Sequence, residues 1–321
     1  MRGRSPDINP DGRVYQLIKR DLDPNSPTYG NDQIVLDILG PNKGAQGVCM
    51  LQTFAGIYHA PRTPVRQSWA YQEGSTPSDF PRVEERTIDI RLSTQGVTQL
   101  DWERVDSQLW EVLRFDRDCI LRIESMLSPP RELKVRLDRK PKDSMTFDTA
   151  SQNLMIWEMT LVASDPWYYS ATLTSSWTNT SGSGTGYITL QNPADVECWV
   201  QYSCNQIVSG TQVWTLPDGV ALWPAGSTDA NGHDISGTNV THTLPSLGVG
   251  QEFLVDTYPL NPTLMVRDGS QAWARMNAEA FLYSLPPRTP PTQVPVKVTG
   301  GTTSTTLTAY MTQRWDRPWS V

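Results

Sequence analysis

Hydrophobic and polar positions alternate most cleanly over residues 153–169, NLMIWEMTLVASDPWYY. Met155, Trp157, Met159 and Leu161 fall on one face, and Leu154, Ile156, Glu158 and Thr160 on the other, the two-residue period of a pleated chain. The pattern predicts a strand that stops at Ser164-Asp165-Pro166. Proline has no N–H to give a ladder and pushes the residue before it toward extended geometry. Trp167, Tyr168 and Tyr169 follow at once, and beyond them the composition changes. Asp165, Pro166 and Trp167 therefore read as a hinge between two domains, 1–165 and 166–321.

Within the first domain, residues 14–18 (VYQLI), 34–39 (IVLDIL) and 86–92 (RTIDIRL) have strand periodicity. Residues 1–32 are otherwise rich in Pro, Asp and Asn and read as an arm or long loops. Residues 60–82 are proline-rich and without period, which predicts a long excursion of the kind that often carries function. Trp102, Val105, Leu109, Val112 and Leu113 share one helical face. Thr98 is the expected N-cap, with Asp101 three residues on as a capping-box variant. Asp101 and Glu103 suit the positive end of that helix, and Arg114 and Arg117 its negative end. Two further strands, 119–124 (CILRIE) and 132–138 (ELKVRLD), precede the strand at 153. The predicted class of this half is α+β, one helix on a mainly antiparallel sheet.

The second half has short apolar runs between turn signals: 171–177, 187–190, 196–202, 211–216, 220–223, 252–256, 263–267, 279–283, 294–298 and 305–313. Such spacing predicts an antiparallel β-sandwich. The whole chain is then mainly β, and the charged, aromatic tail 314–319 is expected to dock on something.

Charge sharpens the division. Residues 1–165 carry 21 basic and 24 acidic side chains, whereas 166–321 carry 6 and 10. The second half is instead rich in Ser, Thr, Gly and Pro. The formal net charge of -7 argues against a general nucleic-acid binder, which needs clustered Lys and Arg to neutralise phosphates. The sequence holds no run of ~18 apolar residues, so no membrane span is expected. The N-terminus lacks the apolar segment of a secretory signal, which points to folding in a cytoplasm.

Candidate chemistry is sparse. Cys198 and Cys204, on one extended strand, would stand about 20 Å apart at ~3.3 Å per residue, too far for a disulfide. Cys49 and Cys119 add no CxxC spacing, so buried free thiols are the reading. The turn at Gly40-Pro41-Asn42-Lys43-Gly44 lacks the ending of a phosphate loop. The run at 182–186 (GSGTG) is one residue out of register with a nucleophile elbow and reads as a flexible turn. His59, His233 and His242 have no ligand spacing and read as loop or surface residues. Asp229, Asn231 and Asp234 depart from the calcium-loop pattern, with glycine at the wrong position and no closing Glu. Glu84 and Glu85 read as solvated ion-pair partners. No catalytic residue, metal ligand or cofactor is assigned. Trp199, Trp214 and Trp223 could stack on sugar rings, but core packing is the favoured reading.

Two stretches then carry a resemblance. Residues 252–273, EFLVDTYPLNPTLMVRDGSQAW, form a hairpin that closes with a glycine turn, and 187–195 lead into the strand at 196. With Ser164-Asp165-Pro166-Trp167-Tyr168, their order resembles the distal tail proteins, or minor tail proteins, of long-tailed bacteriophages. The close of the chain, 296–301 through Arg314-Trp315, resembles versions from phages of actinobacteria. The resemblance implies a virion protein of the tail tip, made in the host cytoplasm and not an enzyme. Its first domain would form a ring, usually a homo-hexamer, around the tail channel, and its second a galectin-like sandwich outside it. Partners would be the tail tube and tape measure proteins, the tail hub and other minor tail proteins, with DNA only in transit. An acidic channel wall would suit that transit. The long N-terminal arm and the excursion at 60–82 depart from the family. A carbohydrate-binding sandwich acting in host attachment is the rival reading.

Overall fold

The computed structural model describes residues 13–320 except 79–80, 127, 144–148, 230 and 277–278. Residues 1–12 of the N-terminal arm thus lie outside the described residues. Two compact units emerge: residues 1–170 together with 315–321, and residues 171–314. The composition boundary at Asp165 falls five residues before the first unit ends, and the last seven residues return to that unit.

The first unit contains β1 (Val14–Arg20), β2 (Asp32–Leu39), β3 (Val48–Ala55), β4 (Arg86–Gln95), α1 (Gln99–Val112), β5 (Cys119–Glu124), β6 (Arg131–Leu137) and β7 (Leu154–Ala163). All pair antiparallel. One sheet runs β2-β1-β5-β6 and the other β6-β7-β4-β3, so β6 is shared. The split falls along β6 itself, whose residues 131–135 pair with β5 and whose Arg136 and Leu137 pair with β7. The core is aliphatic, with Leu17, Leu36, Ile88, Leu92, Leu121, Leu133, Val135 and Leu161 fully buried.

The predicted helix is present and its cap is formed: Thr98 Oγ1 accepts the Asp101 N–H at 3.2 Å, and Asp101 accepts the Val97 N–H at 2.9 Å. Its basic end differs from expectation. The helix stops at Val112, and Arg114 instead bonds Asp116 at 2.9 Å. Asp106 fixes α1 to the sheet by accepting from Trp110 Nε1 on the helix (2.9 Å) and Trp157 Nε1 on β7 (3.0 Å). The two indoles meet edge to face at 4.8 Å.

The second unit is a pair of antiparallel sheets around an apolar core. Its strands are β8 (Tyr168–Thr178), β9 (Ser183–Asn192), β10 (Val200–Cys204), β11 (Val213–Leu222), β12 (Asn239–Thr243), β13 (Phe253–Asp256), β14 (Leu264–Val266), β15 (Thr289–Thr299) and β16 (Thr306–Trp315). β8 begins, and β16 ends, in residues of the first unit. One sheet is ordered β8-β16-β10-β13-β14 and the other β9-β15-β11-β12. Trp214, Tyr202, Phe253, Leu190, Val296 and Leu307 are fully buried between them.

Three expectations for this unit need correction. The glycine run at 182–186 is mostly strand, not a flexible turn: a Cβ on Gly186 would lie 1.9 Å from the Trp177 indole, so glycine lets that ring lie against the strand. The segments at 211–216 and 220–223 are one strand, kinked between Pro217 and Leu222, where Gly219 takes a φ of +59°. Residues 279–283 are not a strand, because the Leu282 and Tyr283 N–H groups donate to the Asp218 carboxylate (2.8 and 3.1 Å) instead of to a neighbouring strand.

Candidate assembly surface

The proline-rich excursion folds into a two-stranded ribbon. Arg62 and Thr63 pair with Val83 and Arg82, and Arg66 and Gln67 pair with Pro77 and Thr76. Two short ladders suffice because prolines at 61, 64, 77 and 81 withhold N–H groups from anything longer. Every described residue from 61 to 85 is exposed, apart from half-buried Gln72. At the tip, Gln72 closes a turn by donating its N–H to the Trp69 carbonyl (3.0 Å) and its side chain to Thr76 (2.8 Å). Trp69 is 70 % exposed and Tyr71 fully so. Exposed aromatic side chains are enriched at protein–protein interfaces, and this ribbon carries two of them on a segment with no core of its own.

The ribbon springs from an elaborate root. Gly56 ends β3 at a φ of +87°, with the space of its missing Cβ taken by the Thr87 carbonyl oxygen at 2.0 Å. Arg86, the first residue of β4, is fully buried. Its guanidinium donates to the carbonyls of Ile57 (2.9 Å), Gly56 (3.3 Å), Pro166 (2.9 Å) and Asp316 (2.9 Å). It also stands 4.9 Å from the Tyr168 ring, whose hydroxyl donates to Ile57 O at 2.9 Å. Burial pulls this guanidinium below the ordinary arginine value, opposed by the charges of Tyr168 and Asp316, and pushes the Tyr168 phenol up. Guanidinium is the one side chain whose fork of donors can serve several carbonyls at once.

Arg131, at the start of β6, is also fully buried and lies 3.7 Å over the Trp315 ring. It donates to the Arg317 carbonyl (2.7 Å) and to Ser320 Oγ (2.9 Å). The tail 315–320 is thus bound along its length to the first unit. Asp316 accepts from Ala60 N (2.8 Å), His59 Nδ1 (2.9 Å) and Arg62 Nη2 (3.2 Å). Burial would raise this carboxyl, but the bonds from His59 and Ala60 and the charge of Arg62 outweigh it and hold it below the ordinary range. His59 is thus an exposed loop residue, as its spacing suggested, and is hydrogen-bonded to Asp316 at the ribbon root.

The hinge residues lie inside the first unit. Asp165 accepts from Trp167 N (3.4 Å) and from the Tyr169 hydroxyl, and buried Pro166 gives its carbonyl to Arg86. Of the three tryptophans, Trp214 drops out as a sugar contact: fully buried, it packs against Trp177 and Phe253 at 6.2 and 5.9 Å and has no face to offer a sugar. Trp199 is half-buried against Tyr258 at 5.9 Å, and Trp223 reaches solvent. Asp229 spends its carboxylate on its own loop, accepting from Asn231 N, His233 N and His233 Nδ1 at 2.9, 2.8 and 3.1 Å. His242 is not a surface residue: it sits on β12 against Phe281, bonded to the buried carboxylate of Asp218 at 3.2 Å. Burial pushes the thiols of Cys119 and Cys198 up to about 12 and that of Cys204 up to about 11, so these cysteines stay inert thiols.

Among the described residues, no helix is long and apolar enough to cross a membrane. A chain of mainly antiparallel β units, with a projecting aromatic ribbon on a hydrogen-bonded root, has the make-up of an assembly component. No protein-family model matches it. Two relatives do. The minor tail protein Gp27 of Mycobacterium phage L5 is 24% identical over 259 residues, 68% of this chain and 75% of its own length. Gp27 of Mycobacterium phage D29 is 23% identical over 327 residues, covering 87% of this chain and 94% of its own. Among solved structures, the fold is like that of the Dit protein (gp 19.1) of phage SPP1, described as a hub adsorption apparatus, with a TM-score of 0.52 and 14% identity over 83% of this chain and 93% of that one. A chain of the phage P2 baseplate in its activated conformation with calcium gives a TM-score of 0.51 at 9% identity, covering 95% of this chain and 99% of that one. The chain is thus similar to minor tail proteins of mycobacteriophages, and its fold is like that of phage Dit and baseplate proteins. These relatives and structural neighbours are components of phage tails and baseplates.

Proposed function

We propose that this protein forms a ring at the distal end of the tail, joining the tail tube to the tip or baseplate hub and its receptor-binding parts. The ring is a homo-hexamer whose first domain, 1–165 with the returning tail, surrounds the channel. The second domain stands outside as a galectin-like sandwich, with 165–167 as the link. Tail tube, tape measure, hub and other minor tail proteins are its neighbours, and DNA passes through. The observation that carries the reading is the ribbon: an exposed arm ending in Trp69 and Tyr71, in a chain whose relatives are tail proteins. A head-to-tail contact of one surface with a different surface on the next copy closes into a ring when its rotation allows.

Light scattering over a concentration series, with negative-stain images, tests this. The expected result is ring particles with a mass near about six chains, and a fall toward a single chain when Trp69→Ala and Tyr71→Ala are combined. A single-chain mass at every concentration, unchanged by the double substitution, would overturn it.

A second reading, glycan binding by the second unit in host attachment, retains Trp223, whose ring reaches solvent, and the half-buried Trp199. Glycan affinity lost on Trp223→Ala without loss of folding would favour it over the ring.

A further inference from the structure

We propose that the C-terminal residues 315–320 are a strap that sets the bearing of the ribbon, so that presentation of the Trp69–Tyr71 tip depends on the seating of the tail. The consequence for assembly rests on the ring reading above; the strap itself does not.

The ribbon's internal bonds fix its shape. Glu84 N donates to Pro61 O (3.0 Å), Thr63 Oγ1 to Glu84 (2.6 Å), and Ser78 N to Val65 O (2.8 Å). Such bonds move with the ribbon and leave its direction open. Direction is decided where the chain leaves the unit, at residues 57–62, and there the contacts converge on the tail. A backbone N–H (Ala60), an imidazole (His59) and a guanidinium (Arg62) all meet the one carboxylate of Asp316. Tyr58 meets the Trp319 ring edge to face at 5.2 Å.

The tail is in turn seated by groups that belong to the core strands. Arg86 holds the Asp316 carbonyl with the same guanidinium that holds Ile57 and Gly56, so ribbon root and tail share one anchor. Arg131 grips the Trp315 ring and the Arg317 carbonyl, Trp315 Nε1 donates to Ser170 Oγ at 2.9 Å, and Arg13 lies 4.0 Å over Trp319. Charge-assisted bonds to a largely buried carboxylate are the stronger kind, and removing that carboxylate leaves their donors to find water. The root then loses its alignment while the sheets, whose ladders lie elsewhere, keep theirs.

Limited trypsin digestion of the dilute full-length chain reads this directly, because Arg62 and Arg66 lie at the root and along the arm. Asp316→Ala is expected to speed cleavage after Arg62 roughly tenfold, as a site held shut by local structure becomes open. Cleavage after Arg267, exposed in the other unit, serves as the control and stays constant. Should Asp316→Ala fail to fold, Trp319→Ala leaves Asp316, Arg86 and Arg131 in place and is expected to give a smaller acceleration, roughly threefold. Root cleavage equal to wild type in a folded variant overturns the strap. The ring reading fails by a different measurement. A wild-type chain that never associates, with an Asp316→Ala ribbon that is freed, rejects the ring and keeps the strap. Rings that form with an unaffected root do the reverse.

Discussion

The two units bury different things. The first encloses two arginines, Arg86 and Arg131, at zero exposure, and spends their donors on backbone carbonyls of the ribbon root and the tail. The second encloses Trp214, Tyr202 and Phe253 in an apolar sandwich, with Asp218 as a buried carboxylate beneath His242. An apolar core is held by area and tolerates small shifts of its neighbours. A guanidinium core is held by direction: it works when three separate stretches of chain bring carbonyls to one point. The first unit is therefore complete when its last residues are in place, a property suited to a chain whose arm must be aimed.

The largest expected effects test that contrast. Arg86→Met removes the donors to the carbonyls of Gly56, Ile57, Pro166 and Asp316, leaving Ile57 only the Tyr168 hydroxyl, and is expected to cost about 3–5 kcal/mol. Trp214→Ala opens a cavity in the sandwich and is expected to cost a similar amount, about 3–5 kcal/mol. Urea titrations separate the two: Arg86→Met lowers the transition of the first unit, and Trp214→Ala that of the second. A reversed pattern would break the comparison.

Asp106→Leu comes next. It strands the indole N–H groups of Trp110 and Trp157 at the helix–sheet seam, at an expected cost of about 1–3 kcal/mol, with a loss of near-ultraviolet dichroism from that indole pair. Retention of both signals would mean that packing alone docks α1.

How much of this was legible varies with what each residue had to bury. Helix α1 was readable because five apolar residues kept helical phase and Thr98 stood at its cap. The ribbon was not, since a segment with both faces in water writes no period, and its prolines announced only an excursion. Strand β3 was missed, its pairing with β4 broken between Met50 and Phe54. The buried charges did leave a signal. Arg86 is in phase with Ile88, Ile90 and Leu92; Arg131 with Leu133, Val135 and Leu137; Asp218 with Trp214 and Leu216. A charge that keeps step with the core face of a strand must find partners inside. Trp214, on that same face, was legible as core for the same reason.

A smaller effect sharpens the second unit by pH. The bond from Asp218 first, then the Asp218 and Glu279 charges, raise His242 above its ordinary value against the opposing effect of burial. Those two carboxylates face it, with the Tyr202 phenol buried nearby and its own ionisation pushed upward. A raised folded value means that the stabilisation is complete below the unfolded value of ~6.5 and is lost as pH rises through the folded one. Urea midpoints for the second unit should fall between mildly acidic and alkaline pH, and His242→Gln should flatten the profile. An unchanged slope in that variant would assign the pH effect elsewhere.

The smallest expected effect lies on the outer face of the sheet β8-β16-β10, where hydroxyls pair across strands. Thr172 meets Thr312 at 3.1 Å, Ser176 meets Thr308 at 3.0 Å, and Thr178 meets Thr306 at 3.1 Å. Water competes freely for every one of these groups, so each cross-strand pair is worth about 0.2–1 kcal/mol. Thr308→Val keeps the β-branched shape and removes the hydroxyl, and its midpoint should move by less than about 1 kcal/mol, in either direction. The contrast with Arg86 is then one of solvent. Removing a hydroxyl from a wet face leaves its partner a water, whereas removing the buried guanidinium takes its donors from the carbonyls of buried Ile57, Pro166 and Asp316. A Thr308→Val loss as large as that of Arg86→Met would mean that this face is covered, and that the second unit, too, carries a surface made for a neighbour.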